Sequence, residues 1–461
     1  MTNFSYNLDI QLPNKLTSLL SDLGFEHFTP IQEKTLPDML ANKDILAQAQ
    51  TGSGKTLAFA IGMLLKLNPR YFAVQGLIMC PTRELADQVS KEIRKAARFL
   101  DNIKVLSLCG GMPFGPQIGS LEHGAHIVVG TPGRLLEHLR KGTLRLDSLN
   151  TLVLDEADRM LDMGFIDSIR TLVDSTPKDR QTLLFSATYP ENIESISGEF
   201  QTDPIHISIE ATIESKPDIT QHFVKTSKED KAYTLLNVLC YQQPQQAIVF
   251  CNTKIECQQI ADFLEDHKVS AKAIHGDLEQ KDRDKVLVQF GNTSCRILVA
   301  TDVAARGIDV KEVDTVINYD MTKDIDIHTH RIGRTGRAGN KGMAINLATE
   351  KDSHKVRDIE ERFEIQAQYL DLHSEIDPDF RLLPSMTTIA FDAGRKDKLR
   401  PGDIVGALTA GIGLTKEEVG KIDVFDRRAY VAVHSKQAKF VVSELQSKKI
   451  KGRTIKVRTI G

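Results

Sequence analysis

The chain has 461 residues, 41% of them apolar and 26% charged, enough to bury more than one core, and a length of this order suggests about three domains. Its six cysteines (Cys80, Cys109, Cys240, Cys251, Cys257 and Cys295) include no CxxC pair, which argues against a zinc site or a disulfide framework and for a reducing compartment. The near-neutral total of −3 hides an asymmetry: residues 385–461 carry 16 Lys/Arg against 8 Asp/Glu, a net +8, while the preceding 384 residues carry a net −11. A basic terminal module on an acidic body points to a polyanion partner, although a solvated basic surface would give the same count. The first residues lack a basic segment followed by an apolar core, and the longest apolar stretch, residues 57–65, is too short to span a bilayer. A cytoplasmic protein without membrane contact is therefore expected.

In chain order, the first chemical signature is Ala49-Gln50-Thr51-Gly52-Ser53-Gly54-Lys55-Thr56. Such a glycine-rich turn ahead of a helix offers backbone N–H groups to phosphates, a lysine to the terminal ones, and a hydroxyl to a metal ion. The general pattern begins with Gly where this chain has Ala49. Short apolar runs follow at 76–80, 127–130, 151–154 and 182–185, each leading into a polar loop, as parallel strands do when their carboxyl ends face a ligand. The third run ends in Asp155-Glu156-Ala157-Asp158. Asp155 is suited to Mg²⁺, largely through water and together with Thr56, and Glu156 to orienting or deprotonating an attacking water. The two segments are complementary halves of a Mg-nucleotide site, so hydrolysis of a nucleoside triphosphate is expected.

Residues 210–218 read as a linker, and a second series of strands follows at 247–250, 271–274, 296–300 and 315–318 without a second phosphate loop. Two α/β lobes sharing one nucleotide motif suggest a site completed by both. After the strand at 296–300 comes Ala300-Thr301-Asp302-Val303-Ala304-Ala305-Arg306-Gly307-Ile308-Asp309, where Asp309 could accept from a ribose hydroxyl; an ordinary loop with a helix cap at Asp302 fits equally. In His330-Arg331-Ile332-Gly333-Arg334-Thr335-Gly336-Arg337, the arginines Arg334 and Arg337 share a face if the segment is helical. They could neutralise a γ-phosphate, bind RNA phosphates, or form surface ion pairs. Residues 373–384 form a second polar connection containing Pro378 and Pro384. The remainder reads strand (387–392), helix (401–409), strands (419–424 and 428–433), helix (436–446), strand (450–458), the β-α-β-β-α-β order of ferredoxin-like folds and RNA-recognition motifs. Phe391 and Tyr430 could stack on bases or belong to the core.

Over residues 4–370 these motifs, in this order, resemble the DEAD-box ATP-dependent RNA helicases of superfamily two. The resemblance implies two tandem RecA-like parallel-sheet lobes plus a C-terminal α+β domain, with domains at 1–209, 219–372 and 385–461. It implies a motif around Gly24-Phe25 and Thr29-Pro30-Ile31-Gln32 in which Gln32 reads adenine and an upstream aromatic, for which Phe4 is the candidate, stacks on it. Ala49 at the start of the phosphate loop is usual in this family. On the first lobe, Pro81-Thr82-Arg83-Glu84-Leu85, Gly110-Gly111 and Thr131-Pro132-Gly133-Arg134 match RNA-backbone contacts, a chemistry that positions RNA without reading its sequence. Ser186-Ala187-Thr188 matches the segment coupling nucleotide state to RNA, with Ser186 expected to bond Asp158. On the second lobe Asn252, Gly276 and Thr301 match RNA-facing positions, Asp309 a ribose contact, and Arg334 and Arg337 the γ-phosphate arginines. Asp158, standing where related families have His, favours RNA over DNA.

The segments Arg400-Pro401-Gly402-Asp403-Ile404-Val405-Gly406-Ala407-Leu408 and Arg428-Ala429-Tyr430-Val431-Ala432-Val433 resemble the terminal domain of bacterial DbpA-type helicases. That resemblance implies docking on a hairpin of large-subunit ribosomal RNA. With few aromatics on its strands, the domain is expected to hold RNA through Arg395, Lys396, Lys398 and Arg400. The expectation is thus a monomeric RNA helicase with ATP and Mg²⁺ as cofactors, which opens short RNA duplexes during ribosome assembly.

Overall fold

The computed structural model describes residues 4–6, 8, 10–49, 52–186, 191–209, 218–305, 313–336, 341–372 and 376–460. The chain divides into two compact units, Met1–Glu214 and Ser215–Gly461. In the first, β1 (Ile45–Gln48), β2 (Gly76–Met79), β3 (Val105–Leu108), β4 (Ile127–Gly130), β5 (Thr151–Asp155), β6 (Gln181–Ser186) and β7 (Ile205–Ser208) form one parallel sheet in the order β3-β4-β2-β5-β6-β1-β7. Successive side chains on a strand point to opposite faces: Val153 joins one core with Phe59, Ile31 and Phe185, while Leu152 and Leu154 join the other with Leu77, Met160 and Leu172. Burial on both faces is why these strands read as unbroken apolar runs. The order places the ends of β5, β6 and β1 side by side, and those of β3, β4 and β2 beside them.

The second unit repeats the plan. β8 (Asp218–Lys225), β9 (Ala247–Cys251), β10 (Ala271–Ile274), β11 (Ile297–Thr301), β12 (Thr315–Asn318), β13 (Lys341–Ala348) and β14 (Gln368–Tyr369) form a parallel sheet in the order β10-β11-β9-β12-β13-β8-β14. The connection at 376–384 is packed onto this lobe: Leu382 is buried in its core, and its carbonyl accepts from Ser270 N at 2.9 Å.

The terminal domain contributes β15 (Met386–Phe391), β16 (Val419–Val424), β17 (Ala429–His434), β18 (Lys449–Ile450), β19 (Arg453–Thr454) and β20 (Val457–Thr459). Its antiparallel sheet has the order β16-β17-β15-β20, with helices Pro401–Leu408 and Ala438–Ser447. The single strand expected at 450–458 is broken, because Lys451 (φ 53°) and Gly452 (φ 77°) turn the chain into the β18–β19 hairpin. Likewise the second helix is preceded by a 3₁₀ turn at Ser435–Gln437.

The period-2 alternation of β15 separates two environments. Ile389 and Phe391 lie in the domain's own core. Thr388 and Ala390 face the second lobe, where Val288, Ala390 and Tyr430 form a buried cluster. Asn292 Nδ2 donates to Thr388 Oγ1 at 3.4 Å, Gln289 Nε2 donates to Ile460 O at 3.2 Å, and Ser294 also bonds Thr388. Both Phe391 and Tyr430 are therefore packing residues. Tyr430, 6% exposed, meets Phe425 edge-on at 5.6 Å. Among the described residues no helix is long and apolar enough to cross a membrane.

Candidate nucleotide site and nucleic-acid interface

The candidate nucleotide pocket lies where β1, β5 and β6 end. Gly52 (φ 89°) and Gly54 (φ 95°) give the loop the left-handed backbone that glycine tolerates, and helix Lys55–Lys66 begins directly after it. Ala49 N donates to Ser186 O at 3.0 Å, tying the loop to β6. Lys55, 7% exposed, folds back to donate from Nζ to Ala49 O at 2.8 Å. Thr56 occupies the second position of that helix. The Ser53 hydroxyl is buried and has no hydrogen-bond partner among the described residues. Gln32 is buried; its Oε1 accepts from Thr29 N at 2.9 Å and its Nε2 donates to Gly54 O at 3.0 Å. It thus touches the phosphate loop itself. Phe4 packs edge-on to Phe28 at 4.9 Å, and its N donates to Ser21 Oγ at 2.7 Å, so an aromatic cluster anchors it.

Asp155, 3% exposed, ends β5. Burial raises its carboxyl to about 7, with Glu156 adding to the shift and Lys55 opposing it. A carboxylate so desolvated favours a cation beside it. The unpartnered hydroxyl, the buried lysine and this carboxylate are oxygen and ammonium groups that fit a triphosphate with a hard divalent ion. Glu156 is buried with φ 52° and ψ 52°, and its carboxylate lies 3.4 Å from Arg159 Nε. Asp158 Oδ1 accepts from Arg159 N at 3.0 Å, and Asp158 and Ser186 are both buried. Gln50, Thr51, Thr188, Asp309 and Arg337 lie outside the described residues.

A second constellation forms where β2, β3 and β4 end. Pro81 leads from β2 into Thr82, whose hydroxyl caps helix Arg83–Ala96 by accepting from Leu85 N at 3.3 Å. Arg83 lies against the Gly110-Gly111 turn so closely that a Cβ on Gly111 (φ +73°) would overlap its guanidinium. Thr131 stands ahead of helix Pro132–Arg140, with proline in the first turn where its missing N–H costs nothing. A Cβ on Gly133 would meet open space. Arg134 Nη1 donates to Gln117 Oε1 at 2.8 Å and to Met112 O at 3.0 Å, and its Nε lies 3.1 Å from Glu137 Oε2. All the RNA-facing residues expected on this lobe therefore share one edge.

On the second unit, Asn252, Gly276 and Thr301 follow or end the neighbouring strands β9, β10 and β11. Asn252 N donates to Asp320 Oδ2 at 2.8 Å, and its Oδ1 accepts from Arg331 Nη2 at 3.1 Å. Arg331, 2% exposed, also forms a two-pronged ion pair with Asp302 at 2.6 and 2.8 Å. Sequence reading passed over Arg331, although it stands in the same run as Arg334. The helical spacing considered for Arg334 and Arg337 does not hold at Arg334: helix Ile325–Ile332 ends at Gly333, and Arg334 sits in the following turn.

On the terminal domain Arg395, Lys396, Lys398 and Arg400 are all exposed. Arg395 N donates to Phe425 O at 2.8 Å and Lys396 N to Asp426 O at 2.9 Å. These bonds bring exposed Arg427 and Arg428 alongside, a grouping that sequence distance conceals. Among the described residues no cluster of His, Cys, Asp and Glu could hold a metal ion by itself.

Comparison with known proteins follows the same three-part division. The DEAD/DEAH box helicase family profile matches residues 29–196, the helicase conserved C-terminal domain 228–339, and the DbpA RNA binding domain 388–459. The chain is 49% identical over 462 residues to ATP-dependent RNA helicase DbpA of Escherichia coli, with all of both chains covered. It is 36% identical to the Bacillus subtilis protein of that name, covering 98% of this chain and 99% of the other. Among solved structures, Saccharomyces cerevisiae Dbp5 bound to RNA and ADP BeF3 superposes with a TM-score of 0.71 at 29% identity, over 78% of this chain and 94% of that one. Mss116p bound to ssRNA and AMP-PNP gives 0.70 at 26%, over 79% of this chain and 78% of that one.

Proposed function

The chain belongs to the DEAD-box ATP-dependent RNA helicases of DbpA type, and on that footing we propose that its terminal domain directs an RNA-stimulated ATPase to large-subunit (23S) ribosomal RNA during ribosome assembly. Lys55 and the 49–56 backbone would hold the phosphates of ATP, Thr56 and Asp155 would hold Mg²⁺, largely through water, and Gln32 would read adenine, with Phe4 as its aromatic partner. When bound, Mg²⁺ neutralises phosphate charge. Glu156 accepts the proton of the attacking water, Arg334 and Arg337 offset charge on the transferred group, and Asp309 holds the ribose. Asp158, Ser186 and Thr188 link this chemistry to the RNA grip.

Pro81, Thr82, Arg83, Gly110, Gly111, Thr131, Pro132, Gly133, Arg134, Asn252, Gly276 and Thr301 hold a single strand by its backbone and strain short duplexes open. Contacts to phosphate carry no sequence information, so choice of RNA falls to the terminal domain. The observation that carries this reading is the pairing of a buried sheet face, with Tyr430 and Ala390 covered, with four exposed basic residues at 395–400. That face is where RNA-recognition motifs stack bases, so recognition passes to the loops. All six cysteines are free of disulfides, which supports a reducing cytoplasm, where the protein acts as a monomer.

The test is binding of the full chain to fragments tiling the large-subunit RNA, beside a variant with Arg395, Lys396, Lys398 and Arg400 all changed to Ala. One fragment bound at least tenfold more tightly than the rest, with the preference lost in the variant, is the expected result. Uniform binding along the RNA by both proteins would reject the targeting role.

A further inference from the structure

Arg134 and the Gly110-Gly111 turn come from different elements, yet one buried amide joins them. Gln117, 8% exposed, lies on helix Phe114–Glu122. Its Nε2 donates to Cys109 O at 3.0 Å, at the entrance of the glycine turn, and its Oε1 accepts from Arg134 Nη1 at 2.8 Å. A guanidinium can only donate, so the orientation of the amide is fixed by chemistry. The same Oε1 lies 2.9 Å from Nε2 of buried His138, which must then carry its proton on Nε2, leaving Nδ1 as an acceptor 2.9 Å from Thr143 Oγ1, whose one proton it shares with the His138 carbonyl at 3.1 Å. Burial lowers the His138 pKa to about 4, so the ring stays neutral and the arrangement does not titrate near pH 7. Phe114 stacks on His138 at 4.1 Å and 16°, securing the start of the helix that carries Gln117.

We propose that Gln117 is a positioning residue for RNA binding, holding the 109–111 turn and the Arg134 guanidinium in one fixed relation so that both meet neighbouring phosphates together. The inference rests on the RNA-backbone role given above to Arg134. Nη1 of Arg134 is engaged by Gln117 and Met112 O and its Nε lies beside Glu137, so Nη2 is the atom it would turn to a phosphate oxygen. An arginine is a long, flexible side chain, and prior immobilisation removes part of the ordering cost from binding. Glu137 already offsets part of the Arg134 charge; a second carboxylate in place of Gln117 would offset more and repel phosphate, whereas the neutral amide fixes the geometry without adding negative charge.

The experiment measures RNA-stimulated ATPase of the full chain at several salt concentrations for wild type, Gln117→Met, Arg134→Ala and the double variant. Gln117→Met keeps the side-chain length and removes all three polar contacts, to Cys109 O, Arg134 and His138. It is expected to raise half-saturating RNA about tenfold, with turnover at saturating RNA changed far less. The slope of log affinity against log salt should fall by about 0.7, the value of one phosphate contact on a single strand. In the Arg134→Ala background the same change should cost clearly less than it does alone, since coupled residues are non-additive and only the hold on the 109–111 turn is left to lose. If Arg134→Ala weakens RNA binding while Gln117→Met does not, the positioning role is wrong and the RNA-backbone reading stands. Fully additive effects would also overturn it, because Gln117 would then act through the fold. If Arg134→Ala itself leaves half-saturating RNA unchanged, both readings fall.

Discussion

Glu156 is held at φ 52°, a backbone that residues bearing a side chain adopt only where their surroundings impose it. Here the imposing contacts are its burial at the end of β5 and the Arg159 guanidinium beside its carboxylate. If this carboxylate takes the proton of the attacking water, Glu156→Gln keeps shape and removes basicity, and turnover should fall by about 10²–10⁴. Nucleotide and RNA binding, followed by fluorescence, should persist. A second carboxylate bears on stability: burial and the neighbouring Asp320 raise the Glu256 pKa to about 7 from the usual 4.5. Burial also works to raise that of Asp320, but hydrogen bonds from Glu256, Lys231 and the Asn252 amide hold it below the usual range. A raised folded-state pKa means that stability is fully present below the unfolded value and is lost as pH rises through about 7. Glu256→Gln donates at any pH, so its second-lobe melting point should exceed wild type at pH 8 and match it near pH 5.

At the scale of elements, legibility follows burial. The parallel strands are apolar on both faces, so runs such as Leu152-Val153-Leu154 announced them. Ala49, Thr131, Asp155, Asn252 and Thr301 stand at or directly after strand ends, where an apolar run gives way to polar or small residues and so marks the position in the sequence. The break within 450–458 was not readable, since Lys451 takes a positive φ that its residue type does not advertise. Nor was the end of the helix at Ile332, because Gly333 in sequence does not say whether it interrupts or terminates a helix. Gln117 escaped notice because its meaning lies in contacts spanning 8, 17 and 21 residues. One close approach makes a prediction. A Cβ on Gly394 would overlap the Phe425 carbonyl and crowd the backbone at Asp426 and Arg427, so Gly394→Ala should cost about 1–3 kcal/mol of terminal-domain stability. Denaturant titration of the full chain, read through the terminal domain, checks it.

Across the whole molecule, the division of charge matches a division of labour. In the function proposed above, the body, net −11, would carry the nucleotide chemistry and a backbone grip that any RNA can satisfy, and the net +8 terminal module would carry the choice. Its sheet face is occupied by Val288 of the second lobe, and the basic residues at 395–400 and 427–428 that the proposal assigns to RNA are exposed. The most direct test is the ATPase rate of the full chain with large-subunit ribosomal RNA, small-subunit ribosomal RNA and a homopolymer, repeated on the variant with Arg395, Lys396, Lys398 and Arg400 changed to Ala. Strong stimulation by large-subunit RNA alone, falling to the level of the other two in the variant, is the result this account predicts. Equal stimulation by all three RNAs in both proteins would contradict it.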